Sequence, residues 1–198
     1  IKGKFFYLYL FVDVWSRKVV GWRVEECESA DFAAELASDI YVAEGLAPGD
    51  VRLHADNGGP MKGATMLATL QALGIMPSFS RPSVSNDNAF SEALFRTLKY
   101  RPGYPSQPFA DLAAARAWVH DFVTWYNTEH HHSAINFVTP NSRHTGTHKA
   151  ILMERTRVYE AAKAANPGRW AGPCRDWSPA GPVVLNAHQQ SQEQRLVA

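Results

Sequence analysis

The chain has 198 residues, which suits one domain or one domain with an appendage, and its 45% hydrophobic and 12% aromatic content can bury a substantial core. Twenty Lys+Arg against nineteen Asp+Glu leave a net charge of +1, so bulk charge announces no nucleic-acid partner, and any such contact must come from local basic surface. Cys27 and Cys174 stand 147 positions apart, which excludes a disulfide scaffold and a Cys-x-x-Cys zinc site and fits a reducing cytoplasm.

Phe5 to Val12 is aromatic and β-branched. It is too short to span a bilayer and is cut by Asp13, so it reads as a strand with no membrane role. With Ser16-Arg17 as its turn and Val19, Val20, Trp22 and Val24 beyond, it predicts a hairpin over 5–13 and 17–25. Ser29 or Asp31 can cap a helix carrying Phe32, Leu36, Ile40 and Ala43 at helical spacing, stopped by Gly45. A short strand, 51–54, leads into Asp56, and Asn57 and Gly58 shape the turn after it, Gly58 by supplying backbone freedom. One helix is predicted over 61–73, then a strand over 75–79 and a polar loop over 80–86. The helix bearing Glu92 runs until Pro102, and a long helix over 111–128 shows Leu112, Ala115, Val119, Phe122 and Tyr126 along one stripe. Hairpin, helix, strand, helix, strand, helix, helix is an α/β order. After about residue 167 the apolar period disappears, predicting an extended appendage with a disordered end after Asn186.

Asp56 at a strand end and Glu92 in the first turns of a helix are separated by 35 residues. Carboxylates gathered at such ends form a hard oxygen cage that prefers Mg²⁺ or Mn²⁺ to zinc. Two ions about 3.5–4 Å apart can clamp the attacking and leaving oxygens of a phosphoryl displacement. The plain alternative is a turn former before Asn-Gly and a solvated helix residue, and spacing alone does not separate the two.

Four ordered segments do. Val-Asp-Val-Trp-Ser-Arg-Lys-Val-Val-Gly-Trp (12–22), His-Ala-Asp-Asn-Gly (54–58), Ser-Asn-Asp-Asn-Ala-Phe-Ser-Glu-Ala-Leu-Phe-Arg-Thr-Leu-Lys (85–99) and Trp-Tyr-Asn-Thr-Glu-His-His-His-Ser (125–133) resemble the signature segments of bacterial insertion-sequence transposases of the retroviral integrase superfamily. The resemblance covers residues 3–140, leaving 141–198 as a helical, then extended appendage. It implies a ribonuclease H-like mixed sheet flanked by helices, with Asp56 and Glu92 as the second and third metal ligands. The implied activity is DNA cleavage and 3′-hydroxyl strand transfer on element ends and target DNA, by a homo-oligomer using two Mg²⁺ or Mn²⁺ ions in the bacterial cytoplasm. The first ligand is expected on the central opening strand, before the segment matching Gly3-Lys4-Phe5 and so missing from this chain. Without that strand the sheet is expected to split into two pieces with exposed edges, and the polypeptide alone to be inactive. The alternative is a catalytically dead fragment that binds DNA or regulates a full-length transposase.

Asp13 is read as a hairpin-turn residue hydrogen-bonded near Ser16 and Arg17, and not as the missing acid. Arg96 and Lys99 follow Glu92 at i+4 and i+7 on one helix face and are read as DNA contacts, with Arg81 extending that surface. Asn88, one turn before Glu92, either orients a metal-bound water or the DNA, or satisfies the helix start. His130, His131 and His132 point in different directions and do not converge on a metal; their cluster is consistent with phosphate contact or a cation-favouring helix end. Arg143, Lys149, Arg155 and Arg157 form a mildly basic helical stretch that either touches DNA or stays solvated.

Overall fold

The computed structural model describes residues 5–81, 85–101, 103–183 and 185. Pro102 as a helix stop, positions 82–84 of the polar loop and the tail after Asn186 lie outside the described residues. The chain divides into two compact units, one of residues 1–12, 20–120 and 184–198, the other of residues 13–19 and 121–183.

In the first unit β1 (Tyr7–Val12) pairs with β2 (Val19–Glu25), and β3 (Arg52–Ala55) pairs in parallel with β4 (Met76–Phe79). The mixed α/β class is as expected, and the described strands form two separate two-stranded pieces. The helix α1 (Ala30–Ala43) starts because the Ser29 hydroxyl accepts the Asp31 N–H at 3.1 Å, and Gly45, at φ +63°, follows its end. It buries Ala33, Ala34, Leu36, Ala37 and Ile40 with Tyr9, Met66, Leu70 and Ile75. Ala43 is exposed: the buried stripe runs through the small residues at 33, 34 and 37, which let neighbouring backbone come close.

The helix expected over 61–73 is interrupted. Two helices stand there, α2 (Gly59–Lys62) and α3 (Ala64–Ala72), separated by Gly63 in extended conformation. A Cβ on Gly63 would lie 2.3 Å from the Ala30 Cβ, so glycine is required by the α1 contact. Apolar periodicity cannot register such a contact, because it is made by a residue with no side chain.

A 3₁₀ turn (Ser85–Asn88) leads into α4 (Ala89–Tyr100), which buries Leu94 and Leu98 and leaves Glu92, Arg96 and Lys99 exposed. Within that turn Asp87 is 2% exposed. Its carboxylate accepts the Arg81 main-chain N–H at 2.9 Å, Nε–H at 2.9 Å and Nη2–H at 2.8 Å. On the other flank, Arg23 bridges Glu25 and Glu35, and Arg116 donates to Glu25 and to the Val24 carbonyl, binding the end of β2 to α1 and to the start of α5 (Leu112–Thr128).

The second unit holds the latter part of α5, with Phe122, Val123 and Tyr126 buried, then α6 (Pro140–His144) and α7 (His148–Ala165). Asn127 trades two hydrogen bonds with the main chain of Val19, at 2.9 and 3.0 Å. Ile135, Val138, Leu152 and Trp177 form its core cluster. The basic stretch departs from expectation here. Arg143 is 1% exposed, lies over the Trp15 ring and donates to the carbonyls of Ala180 and Gly181; Arg155 donates to those of Asn136 and Phe137. Both serve carbonyls that no helix or strand satisfies, a demand invisible to composition.

Gly63→Ala should destabilise the protein by about 1–3 kcal/mol in urea titrations, with Ala30→Gly recovering part of the loss. A second expectation concerns acid. The Arg81 fork and N–H hold the Asp87 carboxyl down to about 2, from an ordinary 3.8. A depressed folded-state value adds stability that is complete above the ordinary value and lost as pH falls through the folded one. The stability gap between wild type and Asp87→Asn should therefore be constant above pH of about 4 and close by about pH 2. A gap that persists unchanged to the acid end would contradict this.

Candidate functional site

Asp56 is the residue after β3, at the carboxyl end of the parallel β3–β4 pair, and its side chain is exposed. Its Oδ1 accepts the Gly58 N–H at 2.9 Å, an Asx turn that sets the carboxylate's direction. Gly58 sits at φ −60°, which any residue adopts, so the expected need for backbone freedom is corrected. Space matters there instead: a Cβ would stand 2.9 Å from the same Oδ1, so the carboxylate, the end of a flexible side chain, would have to shift. Asn57 donates from Nδ2 to the Ser80 carbonyl at 2.9 Å, fastening the turn to the exit of β4.

Glu92 lies in the first turn of α4, with Arg96 and Lys99 following on the solvent face. A carboxylate and a bound anion are both favoured at that helix end by the backbone dipole. Asn88 is the residue before the helix and makes no capping hydrogen bond through its side chain. Arg81, expected on the DNA surface, has its guanidinium committed to Asp87 in a two-pronged ion pair. A fork already matched to a buried carboxylate is not available in that geometry for a phosphate.

The link between the two acids runs through a residue the sequence reading did not single out. His54, two positions before Asp56, places Nε2 at 2.9 Å from the main-chain carbonyl of Asp87, five positions before Glu92. A carbonyl only accepts, so Nε2 carries the hydrogen. In the neutral ring Nδ1 then accepts from the Ser78 hydroxyl at 3.0 Å on β4. His54 and Asp87 both stand inside the quoted motifs, and the His-x-Asp and Asp-x₄-Glu spacings were the signal available for them.

In the second unit, Asp13 accepts from the N–H groups of Trp15 and Ser16, from the Ser16 hydroxyl and from His144. Burial pushes its carboxyl up, but these donors outweigh it and hold the group below the ordinary value. Its oxygens thus serve the hairpin turn. His132 is pushed down to about 4 by burial and then by His130, and its Nδ1 accepts the Ala134 N–H. The neutral ring is favoured there, so this member of the cluster offers no cation to the helix end. Burial lowers His130 too, which stacks on Tyr126 with centroids 5.4 Å apart. A cleft of about 430 Å³ in this unit, between α7 and residues 173–179, contains none of the expected acids.

Asp56 and Glu92 offer hard anionic oxygens, which suits a small divalent cation and not zinc. Among the described residues no group of three or more His, Cys, Asp or Glu side chains gathers, so these two acids suit such a cage by donor type and it would need further ligands. Among the described residues, too, no helix is long and apolar enough to cross a membrane.

The family described as "Integrase core domain" matches this chain through two sequence profiles, over residues 1–85 and 73–140. The transposase for insertion sequence element IS904 of Lactococcus lactis is 31% identical over 139 residues, covering 68% of this chain and 53% of that protein. Transposase InsF for insertion sequence IS3A of Escherichia coli K12 is 29% identical over 135 residues, covering 68% of this chain and 46% of the relative. The chain thus spans about half the length of the curated relatives it matches. Among solved structures, the intasome of simian T-cell lymphotropic virus with the PP2A regulatory subunit B56 gamma gives a TM-score of 0.49 at 17% identity, covering 65% of this chain and 44% of that one. With both integrase-core profiles matched in sequence order and the transposase relatives aligned over 68% of the chain, the chain belongs to the integrase-core family, among the insertion-sequence transposases.

Proposed function

We propose that residues 1–140 form the catalytic core of an enzyme that cuts DNA at the ends of a mobile element and joins the 3′-hydroxyl to target DNA. The observation that supports this most is the tie between His54 and Asp87, which couples the strand carrying Asp56 to the helix carrying Glu92. An exposed turn former and an unrelated solvated helix acid would need no such coupling. In this reading Asp56 and Glu92 hold Mg²⁺ or Mn²⁺, two ions in the complete enzyme. When bound, such ions neutralise charge on the transferring phosphate and lower the pKa of the attacking hydroxyl or water.

The residues of the chain have their own tasks. The Gly58 N–H aims the Asp56 carboxylate, and the start of α4 presents Glu92 together with backbone N–H groups and their positive dipole end. Arg96 and Lys99, on the same solvent face, hold the DNA backbone near the reacting phosphate without reading bases. A third carboxylate completes the cage. Asp13 is not proposed for it, because its oxygens are taken by the hairpin turn. Two acids alone bind Mg²⁺ poorly, so strand transfer is proposed to require that third carboxylate.

In the full-length protein Glu92→Gln should cut Mg²⁺-dependent nicking of an element-end duplex by about 10²–10³-fold, on the scale of charge-stabilising groups. Gly58→Ala should fold normally yet lose activity, as its methyl displaces the Asp56 carboxylate. Wild-type rates in either variant would sink the assignment. Arg96→Ala with Lys99→Ala should weaken duplex binding and reduce the slope of log K against log salt by about 2, read by fluorescence anisotropy at several salt concentrations. An unchanged slope would remove α4 from the DNA surface.

A further inference from the structure

Asp87 is held from two directions at once. Its side chain receives three hydrogen bonds from Arg81, the second residue beyond β4, while its main-chain carbonyl receives the Nε2–H of His54 from the middle of β3. The His54 ring also meets Ser78, its register partner on β4, at 3.0 Å. The turn that opens α4 is thereby fastened to both strands of the parallel pair. A buried ion pair is a weak source of stability, since an apolar substitute of similar volume often does as well. What the fork geometry of arginine and the two-nitrogen geometry of histidine add is direction: each fixes a distance and an angle that apolar packing leaves loose.

We infer that His54, Asp87 and Arg81 are positioning residues that set the start of α4 against β3, and hence the Glu92 carboxyl relative to the Asp56 carboxyl. The inference rests on the reading of those two acids as metal ligands. None of the three touches the reacting atoms; each acts through Asp87 on the placement of the helix. Groups that orient metal ligands typically contribute 10–100-fold to metal affinity. A clamp that merely held the fold together would affect DNA binding by the folded protein as much as metal binding. A positioning clamp separates them.

The experiment uses the full-length protein, with Mn²⁺ binding followed by electron paramagnetic resonance of the free ion and duplex binding measured in EDTA. His54→Ala and Arg81→Lys should each weaken Mn²⁺ binding about tenfold or more at a temperature where circular dichroism shows both variants folded, while metal-free duplex affinity stays close to wild type. His54→Gln, which keeps an N–H for the Asp87 carbonyl, should recover part of the loss. The lysine variant keeps the charge beside Asp87 but not the fork, so it remains informative if the histidine variant does not fold. Variants that bind Mn²⁺ as tightly as wild type, while Glu92→Gln does not, overturn the positioning role and leave the proposed function standing. If Glu92→Gln also binds Mn²⁺ like wild type, the metal-site reading falls and this inference falls with it.

Discussion

A carboxylate that is 2% exposed must be matched by donors, and the way Asp87 is matched governs the whole candidate site. Paired within its own turn, Asp87 would tie α4 to no other element and leave apolar burial, such as that of Leu94 and Leu98, to place the helix. Pairing it with Arg81 instead anchors the helix start to the end of β4, and the His54 hydrogen bond to its carbonyl adds β3. The strands in turn keep their mutual position through the parallel register Arg52↔Met76 to Ala55↔Phe79 and through Asn57 on the Ser80 carbonyl. Asp56 and Glu92 thus stand on elements whose relation is set by directional bonds.

Strands and most helices were legible because their signals are local. Ser29 and Gly45 bound α1 as expected, and the aromatic and β-branched run before Asp13 became β1. What was illegible depended on contacts between distant segments. The break between α2 and α3 falls at Gly63, where Ala30, 33 positions earlier, comes within 2.3 Å of where a side chain would be. Arg143 and Arg155 looked like surface cations and instead satisfy carbonyls of an irregular segment that had no predicted partner.

The site was legible in part for the same reason. Asp56 and Glu92 stood out by motif, and Arg96 and Lys99 by helical spacing, and all four are exposed. Arg81 was read for phosphate from its charge and position, and distances add a partner six positions ahead and buried, Asp87. Gly58 was read for torsional freedom, yet its φ is ordinary, and a Cβ there would stand 2.9 Å from the Asp56 Oδ1. In both cases residue type was informative, and the contact it makes was visible only in distances.

The central claim is that the carboxyl groups of Asp56 and Glu92 share a divalent ion. Crystals of the full-length protein soaked in Mn²⁺ and measured at the manganese absorption edge would test it directly. The account predicts an anomalous peak within about 2.0–2.4 Å of an oxygen of each side chain, the range of Mg²⁺- and Ca²⁺-type oxygen ligation. A strong peak elsewhere, with those two carboxyl groups pointing away from each other, would contradict it.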